Sequence, residues 1–281
     1  MKNLLITLTI GVLLLTGATC IMLLSNYTPQ SKATDSASTE QPTSEEAAVD
    51  RNGNRLIQDN EIWYTSYDGK KIEFGNYNGD NKIISNIYEN GIGILTFEES
   101  VVNVYRYMFS DCTKLETIVL PKSVTNIENY AFIGCTYLND IDMPISVNKI
   151  GKGAFENCRS LTSITIPNGV SKIVSETFNG CISLQTFHGK YASNDGRYLI
   201  IGEELVAFAL AGLTEYVIPD GATKIGEYAF SGCVNLTSIT IPNSVTEIGE
   251  YAFSGCDSLQ ASRLQMVKLR LVNMHLQSVP S

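Results

Sequence analysis

The sequence predicts a solenoid. This is a β-rich α/β stack of 23-residue coils, each giving one rung to a parallel strand stack and a short helical turn, preceded by a small β-hairpin cap. Three observations predict it. The phrase IPNSVTEIGEYAFSGCDSL at 241–259 has a near-copy, IPDGATKIGEYAFSGCVNL, at 218–236, 23 residues earlier. Six cysteines, Cys112, Cys135, Cys158, Cys181, Cys233 and Cys256, keep that spacing, with one interval of 52 that equals 23 plus 29. The apolar residues of one unit are too few to close a core, and a fixed period in this range marks units that bury their apolar faces on one another.

Charge and composition bound the function. A net charge of -9 argues against a nucleic-acid partner, which needs a basic face. It also argues against docking on an anionic membrane surface. A hydrophobic content of 44% is enough for a packed core.

Taken in order, the chain begins with an apolar segment, 1–24, read as a signal or membrane anchor. Leu4 to Leu24 is 21 residues without a charge. As a helix that is about 31 Å, which matches a hydrocarbon core of about 30 Å. Lys2 precedes it, so the amino terminus is expected inside and the remainder outside the cytoplasm. The alternative is a lipoprotein signal with Cys20 lipidated, but Leu15 stands five residues before that cysteine rather than three. Residues 25–50 are Ser, Thr, Pro and acid with little to bury, and read as a flexible linker. Asn26-Tyr27-Thr28 and Asn235-Leu236-Thr237 fit a glycosylation sequon, a match that chance supplies readily.

Residues 51–100 change to period-two alternation and read as a β-rich cap over the raw end of the stack. Ile62 and Tyr64 face Lys71–Phe74 across Asp68-Gly69, a hairpin signal, and Lys82–Ile84 face Ile92–Leu95 across Glu89-Asn90-Gly91. Trp63, the single tryptophan, is expected to pack the cap onto the first coil.

The coils occupy 101–259. Each unit runs Leu-x-x-Ile-x-Ile-Pro, then x-x-Val-x-x-Ile-Gly, then x-x-Ala-Phe-x-Gly-Cys. Leu161, Ile164 and Ile166, like Leu236, Ile239 and Ile241, alternate as a strand. Pro121, Pro144, Pro167, Pro219 and Pro242 end these strands, because proline cannot donate to a ladder. Val124, Val147, Val170 and Val245 open a second short extended stretch, and Phe109, Phe132, Phe155, Phe178, Phe230 and Phe253 close the helical turn. Stacked coils place like residues in columns about 4.8 Å apart.

This motif, (I/L)P-x-x-V-x-x-IG-x-x-AF-x-G-C-x-x-L, resembles the BspA-like leucine-rich-repeat family of bacterial surface proteins, over roughly residues 60–259. The segments FHGKYASNDGRYLIIGEELVAFALAGLTEYVIP, IWYTSYDGKKI and IYENGIGILTF also resemble recurrent stretches of such proteins. The resemblance implies a leucine-rich-repeat solenoid, surface display, and adhesion or host-matrix binding. It implies no enzyme activity and carries over no ligand residues.

The unit at 184–213 departs from the repeat. It lacks the proline and the cysteine, and instead holds Tyr198–Ile201, a Gly202-Glu203 turn and Leu205–Phe208. It reads as a hairpin projecting from the stack, either a specificity insertion or a tolerated variant. The cysteines have no zinc spacing, and disulfides between coils are disfavoured because stacked side chains point the same way. A buried thiol ladder is expected. The tail, 260–281, breaks the pattern and reads as the next repeat in a shifted frame, with its cysteine due 23 residues after Cys256. On that reading the last coil lacks a cover.

No catalytic constellation emerges. His188 lies on an expected strand and His275 in the tail, with no nucleophile–base–acid grouping. Gly91-Ile92-Gly93 lacks the rest of a phosphate-binding fingerprint, and Asn76–Asn81 has too few acids for a calcium loop. No enzyme activity, cofactor or metal is expected. The candidate site is instead the outward-facing positions of the strands. One column is Thr117, Asp140, Ser163, Thr186, Glu215 and Ser238, and the adjacent column is Val119, Asp142, Thr165, His188, Val217 and Thr240. The expected function is a surface-displayed module that binds an extracellular protein or glycan, of host matrix or cell surface, through this face, with the membrane reached by the amino-terminal segment. The alternative is a structural spacer, or a truncated vestige without a specific ligand.

Overall fold

The computed structural model describes residues 55–74, 77, 79–209, 211–259 and 264–266. One compact unit begins at Asp59 and holds the cap and the coils. The predicted anchor with Cys20, the linker, Asn76, and all of the tail except 264–266 lie outside the described residues. In chain order the cap supplies β1 (Glu61–Ser66), β2 (Ile83–Glu89) and β3 (Ile92–Phe97). The first coils supply β4 (Asn103–Val104), β5 (Leu115–Val119), β6 (Asn126–Ile127), β7 (Asp140–Asp142), β8 (Lys149–Ile150), β9 (Ser163–Thr165) and β10 (Thr186–His188). The irregular unit carries β11 (Tyr198–Ile201) and β12 (Glu204–Phe208). Then come β13 (Glu215–Val217), β14 (Lys224–Ile225), β15 (Ser238–Ile241), β16 (Glu247–Ile248) and β17 (Leu264–Met266).

These strands line two walls. On the outer wall β5 pairs with β7, β9 with β10, and β13 with β15, all parallel. On the second wall β4–β6–β8 and β12–β14–β16 are also parallel. Partners in the regular coils sit 23 residues apart, as Thr117↔Asp140 and Asn126↔Lys149 show, and 20 apart where the irregular unit joins, at Glu204↔Lys224. The strands are short because proline ends the first and Ile-Gly the second, so each wall is held by its side-chain columns.

Between the walls lies the predicted phenylalanine ladder. Phe109, Phe132, Phe155 and Phe178 stack with centroids 5.1, 5.4 and 5.7 Å apart and planes within 5°. The predicted helical turn closes each coil as a short hydrogen-bonded turn, as where Ser110 N–H bonds the Tyr107 carbonyl at 3.0 Å and Cys112 N–H the Phe109 carbonyl at 3.1 Å. Two left-handed residues interrupt the turn. Tyr107, Tyr130, Tyr228 and Tyr251 hold φ of 55–60°, and Asp111, Gly134, Asn157, Gly180, Gly232 and Gly255 hold φ of 54–81°. A tyrosine there costs about 1 kcal/mol in backbone strain. Ring stacking offsets it: Tyr107 on Tyr130 at 5.3 Å and Tyr228 on Tyr251 at 5.1 Å. The one described helical element is a 3₁₀ turn, Ser175–Phe178, where the tyrosine position holds Glu176.

The cap departs from expectation at its first hairpin. Asp68-Gly69 does turn, with Gly69 at φ +65, but Lys71–Phe74 form no strand. Both edges of β1 are already taken, by β3 on one side and β5 on the other. The displaced stretch covers the ladders instead. Phe74 meets Phe109 edge-on at 5.7 Å, and the Glu73 carbonyl accepts from Cys112 Sγ at 3.4 Å. The second hairpin forms as predicted, with Asn90 and Gly91 both at positive φ.

The irregular unit does not project. β12 pairs in parallel with β14, so the hairpin takes the place of a coil's second strand. Leu199, Val206, Ala207 and Ala209 pack into the core that runs back to the cap. Tyr198, Leu205 and Phe208 pack into the core that runs forward to Leu259. The hairpin is therefore a wedge that joins two stacks, with Phe208 resuming the ring ladder 4.6 Å from Phe230. Its own apolar residues are too bulky on both faces to stand in solvent. β17 pairs in parallel with β15, so part of the stretch expected to leave the last coil uncovered extends the outer sheet by one rung. Its offset is 25 residues, Ile239↔Leu264, rather than the 23 of Tyr216↔Ile239.

Candidate ligand-binding face

The structure brings the two predicted columns into register in three separate pairs of rungs. Thr117 pairs with Asp140 and Val119 with Asp142; Ser163 pairs with Thr186 and Thr165 with His188; Glu215 pairs with Ser238 and Val217 with Thr240. Alternation turns Ile118, Ile141, Ile164, Phe187 and Ile239 into the core, so the paired residues face outward. Thr165, His188, Glu215 and Val217 are exposed, Val217 at 65%, while Ser163, Thr186, Ser238 and Thr240 are half-buried.

The first rung is different. Thr117 is buried, and its hydroxyl meets that of Thr65 at 2.8 Å. The sequence reading placed Thr117 on the open face because it did not foresee β1 pairing with β5, which sets Thr65 beside Thr117 and Trp63 beside Val119. Trp63 thus adjoins the first coil, as expected, but from the outer side of β1 rather than from the core that Ile62 and Tyr64 enter. It is buried, with its indole N–H donating to Glu61 at 3.0 Å.

Asp140 and Asp142 are half-buried beside this rung. Burial pushes both carboxyls above the usual range; at Asp140 a backbone hydrogen bond opposes the rise and the Asp142 charge adds to it. The face is thus mildly acidic near the cap, neutral at Ser163 and Thr165, and mixed beyond the hairpin.

The six repeat cysteines are buried free thiols. Cys135, Cys158, Cys181 and Cys256 each donate to the phenylalanine carbonyl 26 residues back, at 3.0 to 3.3 Å. Burial pushes Cys112 and Cys181 up to about 12, and Cys135 and Cys158 well above their ordinary value. These groups hold coils together and are poor nucleophiles. Among the described residues no group of His, Cys, Asp and Glu is placed to hold a metal ion.

On the second wall a cleft of 560 Å³ gathers charges at the hairpin junction. Lys152 pairs with Glu176 at 2.8 Å, and Lys224 with Glu247 at 3.3 Å and Glu204 at 3.8 Å. Lys152 and Lys224 thus serve carboxylates of the same cleft, which ties elements of the wall to one another, and Lys172 adds a third cation to its lining.

With the coil geometry in place, the comparison with known families is decisive. A profile of the BspA type leucine rich repeat region matches residues 67–192 and 201–273 in six copies. The chain belongs to the BspA-type leucine-rich-repeat family. The match reaches from Tyr67 in the predicted cap to well inside the predicted tail, so the repeat signal is wider than the coils read by eye. Solved structures of leucine-rich-repeat proteins are similar to it in part. A leucine rich cell surface protein from Faecalibacterium prausnitzii is 24% identical over 58% of this chain and 59% of that one, with a TM-score of 0.33. A T. pallidum leucine rich repeat protein is 23% identical over 59% and 75%, with a TM-score of 0.35. The pneumococcal vaccine antigen PcpA is 17% identical over 67% and 59%, with a TM-score of 0.42. No curated protein matches the sequence. The assignment to the BspA-type family rests on the repeat motif, not on these superpositions. Among the described residues no helix is long and apolar enough to cross a membrane.

Proposed function

We propose that this BspA-type protein is a surface-displayed binding module that engages an extracellular protein or glycan through its outer sheet face. The observation that carries the reading is the register of the two columns, which sets short polar side chains from successive coils on one wall. Extended solenoids recognise partners on such surfaces by many modest contacts. Family membership supports the repeat-protein part of the reading, and the uncharged Ser163 and Thr165 stretch suits adaptable hydrogen bonding. The amino-terminal apolar segment supports display outside the cytoplasm.

The test is capture of extracellular-matrix and cell-surface proteins and glycans by the full chain. A control carries Ser163→Arg, Thr165→Arg, Ser238→Arg and Thr240→Arg. Thr117 is left unchanged in that control, because an arginine there would disrupt the bond to Thr65. Saturable capture lost in the control supports the reading. No capture by folded protein favours a spacer.

A further inference from the structure

The residues that follow each cysteine form a second surface, an edge beside the outer sheet. The first position after the cysteine is Thr113, Thr136, Arg159, Ile182, Val234 and Asp257 in the six cysteine-bearing coils. It is polar or charged everywhere except at the two coils flanking the hairpin unit. Those two, Ile182 and Val234, are 48% and 46% exposed. Both line one cleft of 270 Å³, whose other walls include Thr162, Ser183, Gln185 and Asn235 and no charged residue.

The cleft has a clear origin. The hairpin unit supplies no cysteine turn of its own, and among the described residues it contributes Ala211 and Gly212 to the cleft between the turns at Cys181 and Cys233. The Ala211 N–H bonds to the Leu184 carbonyl at 2.9 Å, which holds this short stretch against the earlier coil. A missing turn in a regular array leaves a gap lined by its neighbours.

The same edge holds an aromatic pair two coils nearer the cap. Tyr67 and Tyr137 stack with centroids 4.4 Å apart, and they are 62% and 44% exposed. Ser160 and the exposed Asn139 stand between that pair and the cleft, whose near wall is the exposed Thr162. Across the turns at 136–139, 159–162, 182–185 and 234–237 only Arg159 is charged, on a chain of net charge -9.

An exposed ring, aliphatic walls and a row of uncharged amides and hydroxyls are what a neutral sugar chain needs. Its C–H faces pack on rings and aliphatic groups, and its hydroxyls pair with side chains that both donate and accept. Beside Tyr67 stand Asp68 and Lys114, which pair with each other, so a polyanion or polycation finds little unpaired charge along this edge. We propose that the post-cysteine edge binds a neutral oligosaccharide, with one sugar unit seated between Ile182 and Val234 and another against Tyr137. The coils of Tyr137 and Ser183 are two rungs apart, about 10 Å, so the ligand spans several units. The inference rests on the binding-module reading but places the ligand on a different surface from the outer sheet.

The test uses the full chain on immobilised cellotetraose, mannotetraose and N-acetyllactosamine, beside sialylated and sulfated glycans. Three variants run in parallel: Tyr137→Ala, Gln185→Ala with Asn235→Ala, and Thr165→Arg with Thr240→Arg on the outer sheet. Inaccessibility of the six repeat thiols to a labelling reagent certifies each fold. The expected result is retention on at least one neutral glycan, at least tenfold weaker in the first two variants and unchanged in the third. Folded protein that retains no neutral glycan, prefers the charged ones, or loses retention only in the sheet variant overturns the proposal. If proteins are still captured through the sheet in that case, the binding-module reading stands without it.

Discussion

Phe155→Ala removes the ring at the centre of the first stack. Phe155 is fully buried and lies 5.4 Å from Phe132 and 5.7 Å from Phe178, nearly coplanar with both. Truncating a buried phenylalanine costs about 3–5 kcal/mol. Two ring pairs are broken, each worth about 0.5–1.5 kcal/mol beyond area, which places this site at the upper end, near 5 kcal/mol. Neighbouring coils are tied by the Phe155 N–H to the Thr177 carbonyl and by Cys181 Sγ to the Phe155 carbonyl, so the cavity has little freedom to collapse. Phe253→Ala is the comparison. That ring is 6% exposed and has one ring neighbour, Phe230 at 5.1 Å, so its loss is expected near 3 kcal/mol. Urea unfolding followed by circular dichroism measures both. A cost for Phe155→Ala below about 2 kcal/mol, or equal to that of Phe253→Ala, refutes the ladder as the main source of cohesion.

Three further expectations follow from the same geometry. Asp142 has a folded-state carboxyl raised by burial, so its protonated form is favoured by folding. That contribution is present below the unfolded carboxylate range and is lost as pH rises through the folded value. Asp142→Asn should therefore raise the urea midpoint at pH 7 and leave it unchanged near pH 3, and a lowered midpoint at pH 7 contradicts this. The repeat thiols, with Cys112 and Cys181 pushed up to about 12, should resist a thiol reagent at pH 8 in native protein and react when urea is added; rapid native labelling of Cys158 would count against the buried ladder. At Gly134, φ is +73 and an added Cβ would lie 2.2 Å from Asp111 Oδ1, so Gly134→Ala should cost about 1–2 kcal/mol. Asp111→Gly should recover part of that loss in a double-mutant cycle, and strict additivity would show that the contact does not matter.

Much of this fold was legible because the period repeats every signal. A single Leu-x-x-Ile run is ambiguous, but four of them, with Leu184-x-x-Phe187 and Leu213-x-x-Tyr216 at the same place in their units and proline after most, identify a parallel stack. The cysteine column was likewise readable as a thiol ladder, since stacked side chains share a direction. What escaped was decided by partners distant in sequence. Lys71–Phe74 looked like a strand, yet β1 had no free edge to offer it. Tyr198–Phe208 looked like a surface hairpin, yet both its faces are apolar and it sits between two stacks, which the absent cysteine did not reveal. Thr117 fits its column by sequence and is covered only because the cap joins the sheet there. The left-handed breaks inside the turns escaped for a local reason, because a non-glycine residue at positive φ, such as Tyr107 or Tyr228, gives no sign of it in its residue type. Of the candidate face, the register was legible and the loss of its first rung was not. The post-cysteine edge was missed altogether, although Ile182 and Val234 in an otherwise polar column were visible in the sequence.

The central claim is that this BspA-type chain recognises a partner through its coils. The most direct measurement is titration of one captured partner against the full chain and its Thr165→Arg with Thr240→Arg variant, with thiol protection confirming both folds. Saturable binding to the native chain and at least tenfold weaker binding to the variant are expected. Equal affinity for both would contradict the outer face as the site, and absence of saturable binding to folded native protein would contradict the binding function itself.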